Sequence, residues 1–511
     1  MIDPRTPVLV GCAQITQREP DPHLARSPID LCADAARGAA TDSGAGERLL
    51  AALDTVVSIR SFSDTSWRFA CPFGRYSNPP KSLAARVGAG SARRLVYTWN
   101  GGNMPQWCVN RLGEMITRGE VDAALIAGGE SLATQKAAQR AGIHLDWNED
   151  PGGEPELWGI PTRGWSDLED RHGMRGAIYS YPMFENAIRA HRGRDIESHQ
   201  RVLGELLERF AHVAAANPLA DRRAGYDART ITTAGPDNPY IGFPYTRLMN
   251  SNAFIDQSAA IMLTSVERAR ALGIAREKWV FLHGCADAHD HWYITERREY
   301  HASPAMGVVF ERACAMAGRS LGEIDLIDLY SCFPSAVQAA CDAGGIALDD
   351  PRGLTVTGGM PYFGGPGNNY VTHSIAEMMD RLRSSPGRFG LVTANGNYLT
   401  KQSAGIYGTE APQARFAPED PAIAQRALDA IPKPELLALA DGAATVETYT
   451  VMHGRGAPAW AIVIGRLDGG ERFIANTPTD AAVLADIQGS EFIGRRGRVS
   501  NDGERNLFVP A

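Results

Sequence analysis

The chain has 511 residues, which at about 150 residues per domain is enough for three or four compact units and too many for one small domain. It is 44% hydrophobic, and 51 Lys and Arg residues against 59 Asp and Glu residues give a formal charge of −8. This charge, without a run of basic residues, disfavours nucleic acid as a ligand. No apolar stretch of about 18 residues is present, so no membrane span is expected.

The N-terminus and the cysteines indicate a reducing compartment. The first residues lead directly into a strand-like run and lack the profile of a signal peptide. The eight cysteines show no C-x-x-C spacing, and most lie in apolar windows. We therefore expect free, mostly buried thiols and a cytoplasmic protein.

The first 130 or so residues predict one α/β unit. Ser27 and Pro28 form a typical helix start, with Ser27 as the N-cap and Pro28 at the first helical position. The predicted elements that follow are a helix to Ala40, a strand at 53–59, a strand at 96–99, a helix to about Thr117 and a strand at 123–127. The strands are almost continuously apolar, which is typical of strands that are buried on both faces.

Residues 132–250 form a long polar insertion that is rich in Trp, Tyr, Pro and Arg. One amphipathic helix is predicted in it, at 201–215. The rest is expected to be loop-like, and such an excursion from an α/β scaffold usually shapes a substrate pocket. The strand-like run at 258–264 then returns the chain to the first sheet.

The second half repeats the first. After a boundary near 266–277 and a strand at 278–282, Ser303 and Pro304 again mark a helix start. The further predicted elements are a helix to Met316, a strand at 324–329, a strand at 354–357, a helix at 371–382 and a strand at 389–393. A glycine turn precedes the later helix in each half. The pattern therefore indicates a duplicated α/β unit.

The C-terminal part differs from both halves. Five prolines at 411–441 indicate a linker with a short helix. The remaining segments read as strands only, at 445–452, 459–466, 471–475, 491–500 and 507–509. They suggest a small all-β barrel such as an OB-fold. The predicted units are 1–270, 271–410, the linker 411–440 and the barrel 441–511.

Together, the duplicated halves, the insertion and the glycine turns resemble the thiolase superfamily, in particular the thiolase-like branch related to sterol-carrier-protein-type thiolases and acetyl-CoA acetyltransferases. The resemblance covers roughly residues 5–410. It implies an α/β thiolase fold, in which two pseudo-symmetric mixed-sheet halves form a five-layered α-β-α-β-α sandwich. It also implies coenzyme A esters as substrate or ligand, with no covalently bound cofactor.

Thiolase chemistry requires a Cys at a helix N-terminus, a His that activates it and a second Cys that transfers protons. The resemblance places the nucleophile at Asn103, with Gly102 as the alternative, and neither is a cysteine. Cys108 lies more than one helical turn deeper and is not expected to react. Asn103 is either a helix N-cap or a polar group aimed at a bound thioester.

Three further motifs have lost their catalytic groups. The His of the His-Asp-Cys-Phe motif is replaced by Tyr330, which is either an acid/base group or structural. The Gly-His-Pro motif matches Gly364-Gly365-Pro366, so the activating His has become Gly365. The Cys-x-Gly motif falls near residues 393–397, which contain no cysteine. Ordinary thiolysis is therefore disfavoured.

The residues that remain define the predicted site. Each follows a strand and a glycine turn, so we expect them to converge at the sheet ends. The predicted catalytic residues are Asn103, Tyr330, His373 and Asn395, and the predicted ligand-binding residues are Gly102, Gly364, Gly365 and Asn397. His373 is the nearest substitute for the missing His, or else a capping residue. No metal site is predicted, because the motif His289-Asp290-His291 lacks a third ligand nearby.

Three functions stay open on this basis. The protein is an acyltransferase that works without an acyl-enzyme, an aldolase-type lyase that cleaves 3-hydroxyacyl-CoA with Tyr330 as the base, or a non-catalytic acyl-CoA-binding protein. The barrel resembles the OB-fold module of partner proteins of thiolase-like aldolases, here fused in one chain. Fusion leaves both a monomer and a homodimer open.

Overall fold

The structure is a computed structural model that describes residues 2–511. The strands are β1 (Pro7–Thr16), β2 (Thr55–Ser58), β3 (Arg94–Thr98), β4 (Ala123–Ser131), β5 (Glu156–Trp158), β6 (Tyr240–Gly242), β7 (Tyr245–Thr246), β8 (Asp256–Ser265), β9 (Val280–His289), β10 (Leu326–Asp328), β11 (Phe389–Gly396), β12 (Lys401–Gly408), β13 (Gly442–Gly454), β14 (Ala457–Leu467), β15 (Arg472–Asn476), β16 (Arg496–Asn501) and β17 (Asn506–Pro510). The α-helices are α1 (Pro28–Asp42), α2 (Glu47–Ala51), α3 (Pro79–Arg86), α4 (Met104–Arg118), α5 (Leu132–Ala141), α6 (Asp167–Arg171), α7 (Ala177–His191), α8 (Ile196–Ala216), α9 (Ala228–Thr232), α10 (Val266–Ala271), α11 (Pro304–Ala317), α12 (Pro334–Gly344), α13 (Tyr370–Ser384), α14 (Pro421–Asp429) and α15 (Ala481–Gly489). Within this range, no helix has the length and apolar character needed to cross a bilayer.

The predicted duplication is confirmed by the order of the strands. The first half is ordered β3-β2-β4-β8-β1 and the second β10-β11-β12-β9. The two halves therefore share one strand order, except that the first half has the additional strand β3 beside β2. The four strands that correspond are β2, β4, β8 and β1 in the first half and β10, β11, β12 and β9 in the second. In each set the first pair is parallel and the other two pairs are antiparallel. A short antiparallel pairing of β1 with β9 joins the halves into one ten-stranded sheet.

The second half lacks a counterpart of β3, so the predicted strand at 354–357 is wrong. Leu354 O accepts one hydrogen bond from Leu329 N at 2.9 Å. The next available amide, Val356 N, donates to the carboxylate of Asp328 at 2.8 Å. Because this side chain takes the donor that a ladder would use, the segment runs beside β10 without pairing as a strand.

Helices form the layers around the sheet. α4 and α13 lie between the two halves and contact strands of both, while α1 covers the outer side of the first half and α11 that of the second. This gives the expected five-layered sandwich. The arrangement also places the N-termini of α4 and α13 at the junction of the halves.

The two similar helix starts use different caps. Ser27 caps α1 as predicted, because its side chain accepts from Asp30 N. Ser303 does not cap α11, since its hydroxyl donates to Asp290 at 2.5 Å. Asp290 itself accepts from Ala305 N at 3.0 Å and so caps the helix. The central residue of the His-Asp-His motif therefore has a structural role.

The insertion holds more helix than its sequence indicates. The predicted helix at 201–215 is confirmed as α8, but α5 and α7 were expected to be loops. α7 carries Pro182 in its interior and has Gly176 at its N-cap without a side-chain bond, so its local signals are poor. Packing of α7 against β13 and α12 supplies the stability that local propensity does not.

The C-terminal strands close into a barrel in the order β13-β14-β15-β17-β16 and back to β13. This is the strand order of an OB-fold. The sequence predicted only strands in this region, but the helix α15 lies between β15 and β16. α14 lies in the linker and packs on β9.

Candidate functional site

The site is built at the N-terminus of α4, where β3 ends and the chain turns through Gly101 and Gly102. Asn103 occupies the N-cap position, but its side chain makes no capping bond. Its Nδ2 instead lies 3.5 Å from Ser403 Oγ on β12, and its Oδ1 has no hydrogen-bond partner among residues 2–511. The first role predicted for Asn103, a helix N-cap, is therefore not observed. Its side chain instead faces β12 of the second α/β half.

Tyr330 and Asn395 come from the second half and meet Gly102. A methyl group on Gly102 would lie 2.0 Å from Tyr330 Oη and 2.7 Å from the main-chain oxygen of Asn395. The amide oxygen of Asn395 accepts from the hydroxyl of Tyr181 on α7 at 2.9 Å. The structure thus brings together Gly102, Asn103, Tyr330 and Asn395, as the resemblance implies.

Lys401, the first residue of β12, is a member of this cluster that the sequence analysis missed. Its Nζ donates to Asn100 O at 2.5 Å and would lie 2.6 Å from a methyl group on Gly101. No carboxylate of the described chain forms an ion pair with it, and burial lowers its pKa to about 7. The sequence does hold a signal: a single lysine opens a strand that is otherwise free of charge.

The turn that precedes Lys401 is strained. Asn397, Tyr398 and Leu399 have φ values of 51°, 56° and 66°, in the left-handed region. Such a backbone costs roughly 1–2 kcal/mol per non-glycine residue, and strain of this kind clusters at functional sites. Asn397 Oδ1 lies 3.5 Å from Asn100 Nδ2, so Asn397 lies at the edge of the cluster.

His373 is not part of the cluster. It lies on the face of α13 that packs on β1, and its Nδ1 donates to Gln14 Oε1 at 3.0 Å. The ring of Phe363 packs against it edge-on at 5.2 Å. Complete burial lowers its pKa to about 3, so the imidazole is neutral. The helical position predicted for His373 was right, but its side chain contacts Gln14 and Phe363, and no hydrogen bond joins it to Asn103 or Tyr330.

Gly364 and Gly365 contact residues outside the cluster. A methyl group on Gly364 would lie 2.4 Å from Gln257 Oε1, and one on Gly365 would lie 2.1 Å from Ser251 Oγ. The space that a histidine at position 365 would need is therefore occupied by Ser251. The two glycines allow close packing here.

Neither cysteine near the site is poised to react. Burial raises the pKa of the Cys332 thiol to about 12. Cys108 is completely buried in α4, and burial raises its pKa as well. A thiolate nucleophile is therefore disfavoured at neutral pH.

The cluster is closed to solvent in this conformation. Asn103, Tyr330 and Lys401 are 4%, 8% and 5% exposed. One cavity lies between α1, β4 and the segment 61–76, and a second lies between α7 and the barrel; neither is lined by these three residues. The half-buried Asn100 and Tyr398 lie above the cluster, and Tyr398 is covered by Gly164 of the insertion. Only a small part of the Asn103, Tyr330 and Lys401 side chains therefore reaches solvent.

Gly102→Ala tests the close contact with Tyr330. The added methyl group has no free space, so we expect the variant to lose about 1–3 kcal/mol of unfolding free energy and to displace the Tyr330 ring. Gly307→Ala in α11 is the control, because its methyl group meets nothing within 4 Å and should stabilise the helix by about 0.5–1 kcal/mol. Urea unfolding measures both, and equal stabilities of the Gly102 variant and the wild type would contradict the packing described here.

Comparisons with known proteins agree with this architecture. The family model "Thiolase-like protein type 1 additional C-terminal domain" matches residues 424–504. The monomeric SCP2-thiolase like protein type 1 from Mycobacterium smegmatis is 37% identical, with a TM-score of 0.86 and coverage of 100% of both chains. No curated protein matches the sequence.

Two more distant structures share the fold. The Ltp2-ChsH2(DUF35) aldolase is 17% identical, with a TM-score of 0.60 over 81% of this chain and 100% of that chain. The dimeric peroxisomal thiolase of Saccharomyces cerevisiae is 13% identical, with a TM-score of 0.56 over 80% of this chain and 99% of that chain. At these identities, the likeness shows the fold alone.

Proposed function

Because the chain belongs to the thiolase-like protein type 1 family of the thiolase superfamily, we propose that it binds acyl thioesters of coenzyme A and breaks or forms a carbon–carbon bond beside the thioester without an acyl-enzyme. One observation carries this proposal. A buried set of polar groups, Asn103, Tyr330, Asn395 and Lys401, surrounds the N-terminus of α4, and no reactive thiol accompanies them. The free, mostly buried cysteines support a reducing, cytoplasmic setting.

The cluster has unused hydrogen-bonding capacity. Asn103 Oδ1, Asn395 Nδ2 and Asn397 Nδ2 are buried without a partner among the described residues. Buried polar groups are ordinarily satisfied, so several unsatisfied ones in one place favour a ligand with its own donors and acceptors. A hydroxyacyl thioester has both, and the positive end of the α4 dipole favours negative charge on its oxygen.

Aldol-type cleavage suits these groups better than thiolysis. In the cleavage of a 3-hydroxyacyl-CoA, a base removes the hydroxyl proton, the C2–C3 bond breaks and an aldehyde or ketone leaves. The electron pair passes to the thioester as an enolate, which is then protonated at C2. No step needs a cysteine, and a structural neighbour that shares the fold is described as an aldolase.

The test is turnover of 3-hydroxyacyl-CoA esters by the full chain. We expect equal amounts of a carbonyl product and a shortened acyl-CoA, measured by hydrazine derivatisation and by chromatography of the CoA esters. Mass spectrometry of the quenched protein should show no acyl adduct. Absence of any carbonyl product across a series of chain lengths would contradict the lyase function.

A non-catalytic acyl-CoA-binding protein is the second candidate. The closed state of the cluster favours it, since Asn103, Tyr330 and Lys401 are all buried. Calorimetry with acetyl-CoA separates the two candidates. Binding without turnover of any hydroxyacyl ester supports the binding protein, whereas binding with turnover supports the lyase.

A further inference from the structure

Two groups of different acidity, Lys401 and Tyr330, lie beside consecutive glycines of the cluster and have separate roles in the proposed lyase reaction. We propose that the amine of Lys401 is the base that accepts the substrate's hydroxyl proton, and that the hydroxyl of Tyr330 is the donor to the thioester oxygen. The assignment rests on the proposed function. It also revises the expectation that Tyr330 is the base.

The geometry is the first support. Lys401 Nζ lies 2.6 Å from the position of a methyl group on Gly101, and Tyr330 Oη lies 2.0 Å from that of a methyl group on Gly102. The two polar atoms therefore flank consecutive glycines at the start of α4. Asn103 Oδ1, which is buried and unpartnered in the described chain, lies 2.5 Å from the same position on Gly101. Three polar groups thus face one short stretch of backbone that carries no side chain.

Burial shifts the pKa values of the two side chains in opposite directions. It lowers the pKa of Lys401 to about 7 and raises that of Tyr330 well above its usual 10.0. At neutral pH, a large share of Lys401 is therefore the free amine, while Tyr330 keeps its proton. A base whose pKa lies near the working pH is the most effective, and a hydroxyl that keeps its proton can donate a hydrogen bond to an oxygen on which negative charge develops.

The neighbouring titratable groups leave Lys401 without a counter-charge. His289 on β9 is its cross-strand partner, and its Nδ1 lies 3.0 Å from Asp290 O. Asp287 on the same strand is bound by Ser403 Oγ at 2.5 Å and by Asn110 Nδ2 at 3.0 Å. Arg297 donates to Thr400 Oγ1 in the preceding turn. No ion pair holds the Lys401 proton in place.

The choice of residue type is the second support. Only five of the 51 Lys and Arg residues are lysines, so arginine is the ordinary cation of this chain. An arginine stays protonated in any protein environment, whereas a buried lysine loses its proton readily. The cation at the start of β12 is therefore of the type that can act as a base.

The reaction balances with these two groups. The Lys401 amine takes the C3 hydroxyl proton and becomes an ammonium while the C2–C3 bond breaks. The carbonyl product leaves, and the enolate oxygen accepts a hydrogen bond from Tyr330. The ammonium then returns its proton to C2, which gives the shortened acyl-CoA and restores the amine. No oxidant, reductant or further reactant is needed.

The Lys401 titration is measured on the full chain labelled with [13C]lysine. The five lysines give five side-chain Cε signals, and Lys401→Met removes the one to be assigned. We expect this signal to titrate near pH 7. Lys433, which is exposed and pairs with Glu296 at 2.8 Å, gives a second lysine signal for comparison. A Lys401 signal that titrates near 10.5 would overturn the proposal.

The rate of cleavage supplies the second readout. Because the base must be unprotonated, we expect the wild-type rate to rise as the pH passes upward through about 7. Lys401→Met and Lys401→Arg should lose at least about 100-fold in rate, and Lys433→Arg should keep it. If the protein cleaves no 3-hydroxyacyl-CoA although Lys401 titrates near 7, the proposed function fails and the base role fails with it. A cleaving protein with an undiminished Lys401→Met rate contradicts the base role alone.

Discussion

Tyr330→Phe is expected to lower the rate of 3-hydroxyacyl-CoA cleavage by about 10²–10³-fold, because it removes the proposed hydrogen-bond donor to the thioester oxygen. The fold should be unaffected. The backbone amide of residue 330 still donates to Thr393 Oγ1, and the ring still packs edge-on against Tyr370 at 6.0 Å. Steady-state kinetics should show the loss in kcat rather than in KM.

Tyr226→Phe is the matched control, since Tyr226 lies against Tyr362 outside the cluster and should keep the wild-type rate. The pH profile adds a second constraint. Burial holds the Tyr330 pKa well above 10.0, so its ionisation should cause no loss of activity below that pH. Full activity of Tyr330→Phe would remove the residue from the reaction.

Arg472→Ala is expected to destabilise the protein by about 3–5 kcal/mol, because the main-chain oxygens that Arg472 binds lose their donor, at about 1–3 kcal/mol for each buried one. Arg472 lies on β15 of the barrel and is 0% exposed. Its Nε donates to Glu447 at 2.6 Å, within the barrel. Its guanidinium also donates to main-chain oxygens of the body, Thr295 O at 3.1 Å and Arg298 O at 3.2 Å. The variant therefore leaves several main-chain oxygens without their donor, and Glu447 keeps only Arg466 Nε, at 2.8 Å, as a partner.

This contact also connects the barrel to the site. Arg472 donates to Arg297 O, and the side chain of Arg297 donates to Thr400 Oγ1 at 2.7 Å and to Tyr398 O at 3.0 Å. The strained turn before Lys401 is thus held by a residue that the barrel fixes. We expect Arg472→Ala to lower turnover as well as stability.

Guanidinium-chloride unfolding measures the loss, and Arg496→Ala is the control. Arg496 is 58% exposed and pairs with Asp468 at the surface at 2.6 Å, so its removal should cost less than about 1 kcal/mol. Equal effects of the two substitutions would contradict the role given to Arg472. A second unfolding transition in the Arg472 variant would show that the barrel unfolds separately from the body.

Local sequence signals predicted much of the fold. Ser27 and Pro28 start α1, and the apolar face at 201–215 marks α8. α7 was missed because Pro182 interrupts its helical pattern. The helix is stabilised by packing on β13, which no local pattern predicts. The strand at 354–357 was wrong because one carboxylate, that of Asp328, takes the amide that pairing would need.

Only the site residues that occupy family motif positions were predicted correctly. Asn103, Tyr330 and Asn395 follow from those motifs and do meet around Gly102. His373 was chosen for its residue type, but the helix face that it occupies points to β1. Lys401 carries no motif, and its low pKa results from burial by residues that are distant in sequence. Long-range packing of this kind is not encoded in a local pattern.

A crystal structure of the full Tyr330→Phe chain, which should turn over slowly, with a bound 3-hydroxyacyl-CoA is the most direct test of the proposed chemistry. We expect the loop over Tyr398 to be displaced, with the thioester oxygen beside position 330 and the C3 hydroxyl within hydrogen-bond distance of Lys401 Nζ. A ligand seated in the cavity lined by Glu130 and Tyr97, with the cluster around Asn103 still closed, would contradict the account.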